Sequence, residues 1–170
     1  MPGKLKLLYW DSCVFLSYIN ADPGRIDTLD AILDDIQKSN GESKIVTSIL
    51  TKIEVAGSAT EYATRVLSTV IEQKIDALWN DASVIEFIEL HDGVAIRARD
   101  LMRQALTQGW SLKPPDAIHL ASAQWLGVEE LHTYDDKLPR YGTMIGCKIC
   151  EPYTTQLRMN FDPGTPSYVR

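Results

Sequence analysis

The sequence predicts an α/β fold, a mostly parallel central sheet flanked by helices in three layers. Three observations carry that expectation. Short apolar runs at residues 5–10, 44–47, 83–90 and 130–134 have the length and composition of buried strands. Helical patterns of ten or more residues separate them, which is the spacing of β-α-β units. A chain of 170 residues, 45% hydrophobic and 24% charged, has the size of one domain that buries its core without staples.

Residues 5–10 form a continuous apolar run that stops at Asp11, and residues 14–19 resume as a short apolar helix. From 25 to 39 the positions Ile26, Leu29, Ile32, Leu33 and Ile36 recur at helical spacing with aspartates between them, an amphipathic helix closed by Asn40-Gly41. A second strand at 44–47 leads into a helix expected over 49–55, with Glu54 inside it. Residues 62–79 read as one long helix with Val66, Leu67, Val70, Ile71, Ile75 and Leu78 on one side. A strand at 83–90 precedes a helix over 93–109 that a glycine closes.

The stretch SLKPPDAIHLASA then opens a greasy helix, with Pro114 and Pro115 at its entry and Asp116 in its first turn. The last core strand, 130–134, runs into Asp135 and Asp136, and a minor strand follows at 148–150. The expected domain is therefore 1–150. Residues 151–170, with three of the eight prolines and no period, read as a tail.

A formal net charge of −6 excludes a protein that coats nucleic acid through bulk positive charge, yet carboxylates that bind divalent cations would reverse their local sign. Three cysteines, two of them in Cys147-Lys148-Ile149-Cys150, do not make a secreted disulfide framework. The apolar run before Asp11 is too short for a signal core or a membrane span, so a cytoplasmic protein without membrane attachment is expected.

Taken singly, each acid at a helix head reads as a cap. Taken together they ask for more. Ligands of open parallel sheets bind beyond the carboxyl ends of the strands. Asp11 follows the first strand, Asp135 and Asp136 follow the last core strand, Asp116 heads the helix before it, and Glu54 follows the second strand. Like charges gathered among apolar neighbours must bind protons or cations. An all-oxygen donor set with few histidines or thiols suits Mg²⁺ or Mn²⁺.

Asp11-Ser12 after a strand, Thr51-Lys52-Ile53-Glu54, the run from Pro114 to Ala123, and Thr133-Tyr134-Asp135 together resemble the PIN-domain ribonucleases, in particular VapC-like toxins of bacterial toxin-antitoxin pairs. The resemblance spans about residues 5–150. It implies a PIN-like three-layer fold and a metal-dependent endoribonuclease acting on single-stranded or loop RNA. It assigns Asp11, Glu54, Asp116 and Asp135 as catalytic acids, with Asp11, Asp116 and Asp135 on the metal and Asp136 as an auxiliary. Ser12 and Thr133 become hydroxyls that support the metal or a phosphate oxygen. The resemblance further implies a small antitoxin partner and a homodimer.

Arg97, Arg99, Arg103 and Lys113 are candidate phosphate contacts, although basic residues on a helix ordinarily serve as solvated charge. Cys147 and Cys150 lack the second ligand pair of a structural zinc site and read as half-buried thiols on an edge strand. His119, one turn after Asp116, reads as a supporting or packing residue, and the four tryptophans read as core or subunit contacts. An aspartyl-nucleophile phosphatase would want a second acid two residues after Asp11, where Cys13 stands. A noncatalytic PIN-like module that binds RNA or protein is the remaining alternative.

Overall fold

The computed structural model of the chain describes residues 4–155. Strand β1 (Lys6–Trp10) is followed by helices α1 (Ser12–Ile19) and α2 (Ile26–Lys38), then β2 (Ser43–Ser48). Three helices come next, α3 (Thr51–Glu54), α4 (Ala59–Thr64) and α5 (Thr69–Asn80), and lead to β3 (Ile85–Ile88). The second half holds α6 (Asp92–Thr107), α7 (Pro114–Leu126), β4 (Glu130–His132), a 3₁₀ turn (Leu138–Tyr141), α8 (Gly142–Ile145) and β5 (Lys148–Cys150).

The five strands form one sheet in the order β3-β2-β1-β4-β5, and every pairing is parallel. Parallel strands need crossovers, and helices on both faces supply them. The chain runs outward from β1 to β3 and then returns to place β4 on the free side of β1. That reversal creates a switch point between β1 and β4, where open α/β sheets hold their ligands.

Alternation along β1 divides the core in two. Leu8 and Trp10 face α1, α2 and α5 and pack with Phe15, Leu29 and Ile75, while Tyr9 faces α6 and α7 and packs with Leu101 and Leu120. Edge-to-face rings extend from Trp10 to Phe15, from Phe15 to Trp79 and from Trp79 to Phe87, with centroids 5.2–5.4 Å apart. The register sets Trp10 opposite His132, so the residues after β1 and after β4 emerge side by side.

Two expectations need correction. The helix read over 62–79 is broken in two. Arg65 takes a left-handed conformation at φ 61° and ends α4, and Ser68 restarts the chain by capping the Ile71 N–H. As a result Val66, Leu67 and Val70 are exposed, and only Ile71, Ile75 and Leu78 pack inward. The helix read over 49–55 is a single turn, with Glu54 at its end. Trp125 also departs from a core reading: it is 57% exposed, and its ring meets His91 edge-to-face with centroids 4.7 Å apart. Of the tail, residues 151–155 lie among the described residues and 156–170 outside them.

At Gly142, the first residue of α8, the chain passes close to its own backbone. A Cβ there would stand 2.8 Å from the Cys147 carbonyl oxygen, which is backbone and has no rotamer to escape into. Gly142→Ala is expected to cost about 1–3 kcal/mol through forced displacement. A thermal melt that drops by several degrees checks this, at about 2–4 °C per kcal/mol for a chain of this size.

Candidate active site

Asp11 sits where β1 ends and α1 begins, at the N-cap. Its Oδ1 accepts the N–H groups of Cys13 and Val14 at 3.1 and 3.4 Å, and its Oδ2 accepts the Thr133 hydroxyl at 2.6 Å. Capping is therefore real here, but it leaves the carboxylate 6% exposed beside the switch point. Burial pushes its pKa up, against the pull of Cys13 and Thr133. The Cys13 thiol donates to Oδ1 at 2.7 Å. Burial, with the Asp11 charge, pushes that thiol up to about 12, so it remains a donor and not a thiolate.

Thr133 links two acids. While its hydroxyl donates to Asp11, its oxygen accepts the Asp135 N–H at 3.0 Å. Asp135 accepts the Lys137 N–H at 2.9 Å, which fixes the turn after β4. Asp136 is exposed on that turn.

Asp116 is the third residue of α7, after the two prolines, yet it caps nothing: α7 has no side-chain cap, and Asp116 makes no hydrogen bond among the described residues. Instead, burial and then the charges of Asp135, Asp11 and Glu54 push its pKa up, with His119 opposing them. Three acids from other parts of the chain are thus felt at Asp116.

Glu54 leans in from α3. Burial raises its pKa, but His119 and the Ser12 hydroxyl outweigh that and leave it below the usual carboxylate range. His119 Nε2 lies 2.7 Å from Glu54 Oε2, and His119 Nδ1 lies 2.8 Å from the Tyr9 hydroxyl, which accepts the Ser48 N–H at 3.0 Å. A carboxylate only accepts, so Nε2 carries the proton of that bond. His119 is buried, and it supports Glu54 from behind. Tyr9 had no signal in the sequence beyond its apolar strand.

Among the described residues, the only His, Cys, Asp or Glu donors that gather in a group of three within 4.8 Å are Glu130, His132 and Cys150, which include none of these acids. An ion among the four acids would have to keep several of its waters and take few direct carboxylates. The donor set of carboxylate and hydroxyl oxygens fits Mg²⁺ or Mn²⁺ and fits zinc poorly.

Cations stacked on aromatic rings flank the acids. The Arg25 guanidinium lies 3.8 Å above the Tyr134 ring, next to Thr133 and Asp135. Arg140 lies 5.7 Å from the Trp110 ring, whose edge meets Tyr141 at 5.4 Å, and the Tyr141 hydroxyl feels Asp116 and Asp135. Of the basic residues read from the sequence, Arg97 hydrogen-bonds Gln124, and Arg99, Arg103 and Lys113 are exposed. Arg25 and Arg140 escaped sequence reading because their ring partners are distant in the chain.

No curated protein sequence significantly matches this chain. Similar solved structures include VapBC2 from Rickettsia felis, bound to a DNA fragment from their promoter, at TM-score 0.61 and 15% identity, covering 87% of this chain and 99% of that one. Mycobacterium tuberculosis VapC20, described as a sarcin-ricin loop cleaving toxin, is similar at TM-score 0.57 and 14% identity, covering 79% and 95%. A toxin-antitoxin complex from Klebsiella pneumoniae is similar at TM-score 0.54 and 22% identity, covering 86% and 98%. At such identities the likeness concerns the fold. The family model described as PIN domain matches residues 8–143, a span that holds every acid discussed above, and the chain belongs to the PIN domain family.

Proposed function

We propose that this protein is a metal-dependent endoribonuclease and the toxin of a toxin-antitoxin pair. The observation that carries the reading is Thr133 joining Asp11 to Asp135 across the β1/β4 switch point, with the charges of Asp135, Asp11 and Glu54 felt at Asp116. PIN proteins are usually nucleases, and the similar structures include toxin-antitoxin complexes.

Asp11, Asp116 and Asp135 would hold Mg²⁺ or Mn²⁺. When bound, such an ion lowers the pKa of a water and screens the phosphodiester. Glu54, held by His119 and Ser12, would orient the attacking water and accept its proton. Thr133 keeps Asp11 and Asp135 in register, and the Cys13 thiol restrains Asp11 from the other side. Arg25 on Tyr134 and Arg140 on Trp110 offer phosphate contacts with aromatic faces beside them, the pairing that single-stranded RNA favours. Asp136, exposed, serves at most as an auxiliary ligand.

The exposed side chains Ile53, Tyr62, Val66, Leu67 and Val70 support protein partners, which in this reading are an antitoxin and a second copy of the chain. Among the described residues no helix is long and apolar enough to cross a membrane; the proposed setting is the cytoplasm.

The deciding experiment incubates the pure protein with structured RNA and Mg²⁺ or Mn²⁺, with and without chelator. Cleavage that requires the ion and leaves 5′-phosphate ends is expected. Cleavage that persists in chelator overturns the mechanism, and RNA binding without cleavage selects the noncatalytic alternative. Arg140→Ala is expected to raise KM for RNA about three- to tenfold with little change in kcat, because its charge lies at the rim; a fall in kcat alone would contradict that placement.

A further inference from the structure

A second cluster of donor groups lies at the sheet edge. The parallel register puts His132 opposite Cys150 and Glu130 opposite Lys148, and residues two apart on a strand share a face. Glu130, His132 and Cys150 therefore converge, each offering one donor atom within 4.8 Å of the other two. Cys147 does not join them, since it turns to the opposite core with Leu131 and Ile149, as a three-residue spacing on a strand requires.

His132 is 2% exposed. Its Nε2 is 3.3 Å from Glu130 Oε2, about the ligand-to-ligand distance around a tetrahedral zinc ion. The other oxygen of Glu130 is held by the Tyr153 hydroxyl at 2.6 Å and Lys148 Nζ at 3.1 Å, which leaves Oε2 oriented toward the ring. Beside the cluster is a cavity of about 450 Å³, lined by Lys6, Leu8, Ile36, Glu130, His132 and Tyr153.

We propose that Glu130, His132 and Cys150 form a second metal site, separate from the acidic one, that takes a borderline-soft divalent ion such as Zn²⁺ and clips β5 to β4. The donor set of one sulfur, one nitrogen and one oxygen selects zinc-like ions over Mg²⁺. The Cys150 thiol releases its proton to solvent as the ion binds, and water from the cavity fills the fourth position. Cys150 must close in to complete the triangle. The Lys148 ammonium opposes the ion from Glu130 Oε1, but its side chain is 58% exposed, so solvent screens that charge.

The test titrates the full chain with Co²⁺ and then Zn²⁺, under reducing conditions and in excess Mg²⁺ so that the acidic site is filled. One equivalent of Co²⁺ should produce a thiolate-to-metal charge-transfer band that Zn²⁺ displaces. Cys150→Ser should abolish the band and weaken Zn²⁺ at least tenfold, Glu130→Gln should weaken Zn²⁺ without unfolding the edge, and Cys147→Ser and Cys13→Ser should keep the band. A missing band, a band that survives Cys150→Ser, or one lost in Cys147→Ser overturns the proposal. None of these outcomes depends on RNA cleavage.

Discussion

Asp116→Asn will lower the ion-dependent cleavage rate at least about 10²-fold while raising the melting temperature of the ion-free protein. The two effects share one cause. Burial and the neighbouring charges of Asp135, Asp11 and Glu54 disfavour the carboxylate in the fold. Between the ordinary carboxylate pKa and the raised one, the folded protein retains a proton that the unfolded chain has released. Stability therefore declines as pH rises through that window, and above it the penalty is complete.

Asparagine keeps the volume and removes the charge. Asp116 is only half buried and solvent screens it, so the gain is about 1 kcal/mol, or about 2–4 °C. Activity moves the other way because, on the proposed function, an ion ligand and a preorganised charge are lost together. Added Mg²⁺ should raise the wild-type melting temperature and raise that of Asp116→Asn less, since a ligand stabilises the state that binds it. Asp136→Asn, on the exposed turn, should stay within about twofold of wild type in rate. An Asp116→Asn protein that melts lower and cleaves within tenfold of wild type would show that these acids neither crowd one another nor act in the reaction.

How much of this was legible in the sequence depended on whether the cause was local. The apolar run stopping at Asp11 and the two prolines before Asp116 are signals within a few residues, and both elements formed as read. The break between α4 and α5 was also local but was hidden by periodicity: Val66, Leu67 and Val70 keep helical spacing in a segment that turns away from the core. Its signature lay in the caps. Ser58 and Glu61 form a reciprocal capping box, and Glu61 also accepts the Ser68 N–H at 2.7 Å, so a single carboxylate closes the turn between the helices. Contacts made through the sheet were beyond reach. Thr133 meets Asp11 because β4 returns beside β1, and Cys150 faces His132 through register alone. Nothing near Tyr9 in the chain announces a histidine 110 residues away.

Tyr9→Phe is expected to reduce kcat for RNA cleavage about 10- to 100-fold, although its ring lies in the core and its hydroxyl touches no predicted ligand. The hydroxyl accepts from Ser48 N–H and shares a hydrogen bond with His119 Nδ1, and the ring presents its Nε2 proton to Glu54. Outer partners that hold a catalytic side chain in one orientation are commonly worth that much. Phenylalanine keeps the packing against α7 but orphans a buried N–H and leaves the imidazole free to choose its tautomer. A stability loss of about 1–3 kcal/mol should accompany the change, so rates must be compared well below the melting temperature. Positioning and mere packing then separate on three readouts. KM for RNA should hold, since neither Tyr9 nor His119 lies at the basic rim. His119→Gln, which can still donate to Glu54, should recover most of the rate that His119→Leu loses. The double variant Tyr9→Phe/His119→Leu should be no slower than His119→Leu alone, because both changes break one chain of hydrogen bonds. Losses that multiply in the double variant, or glutamine no better than leucine, would reduce this buried relay to ordinary core packing.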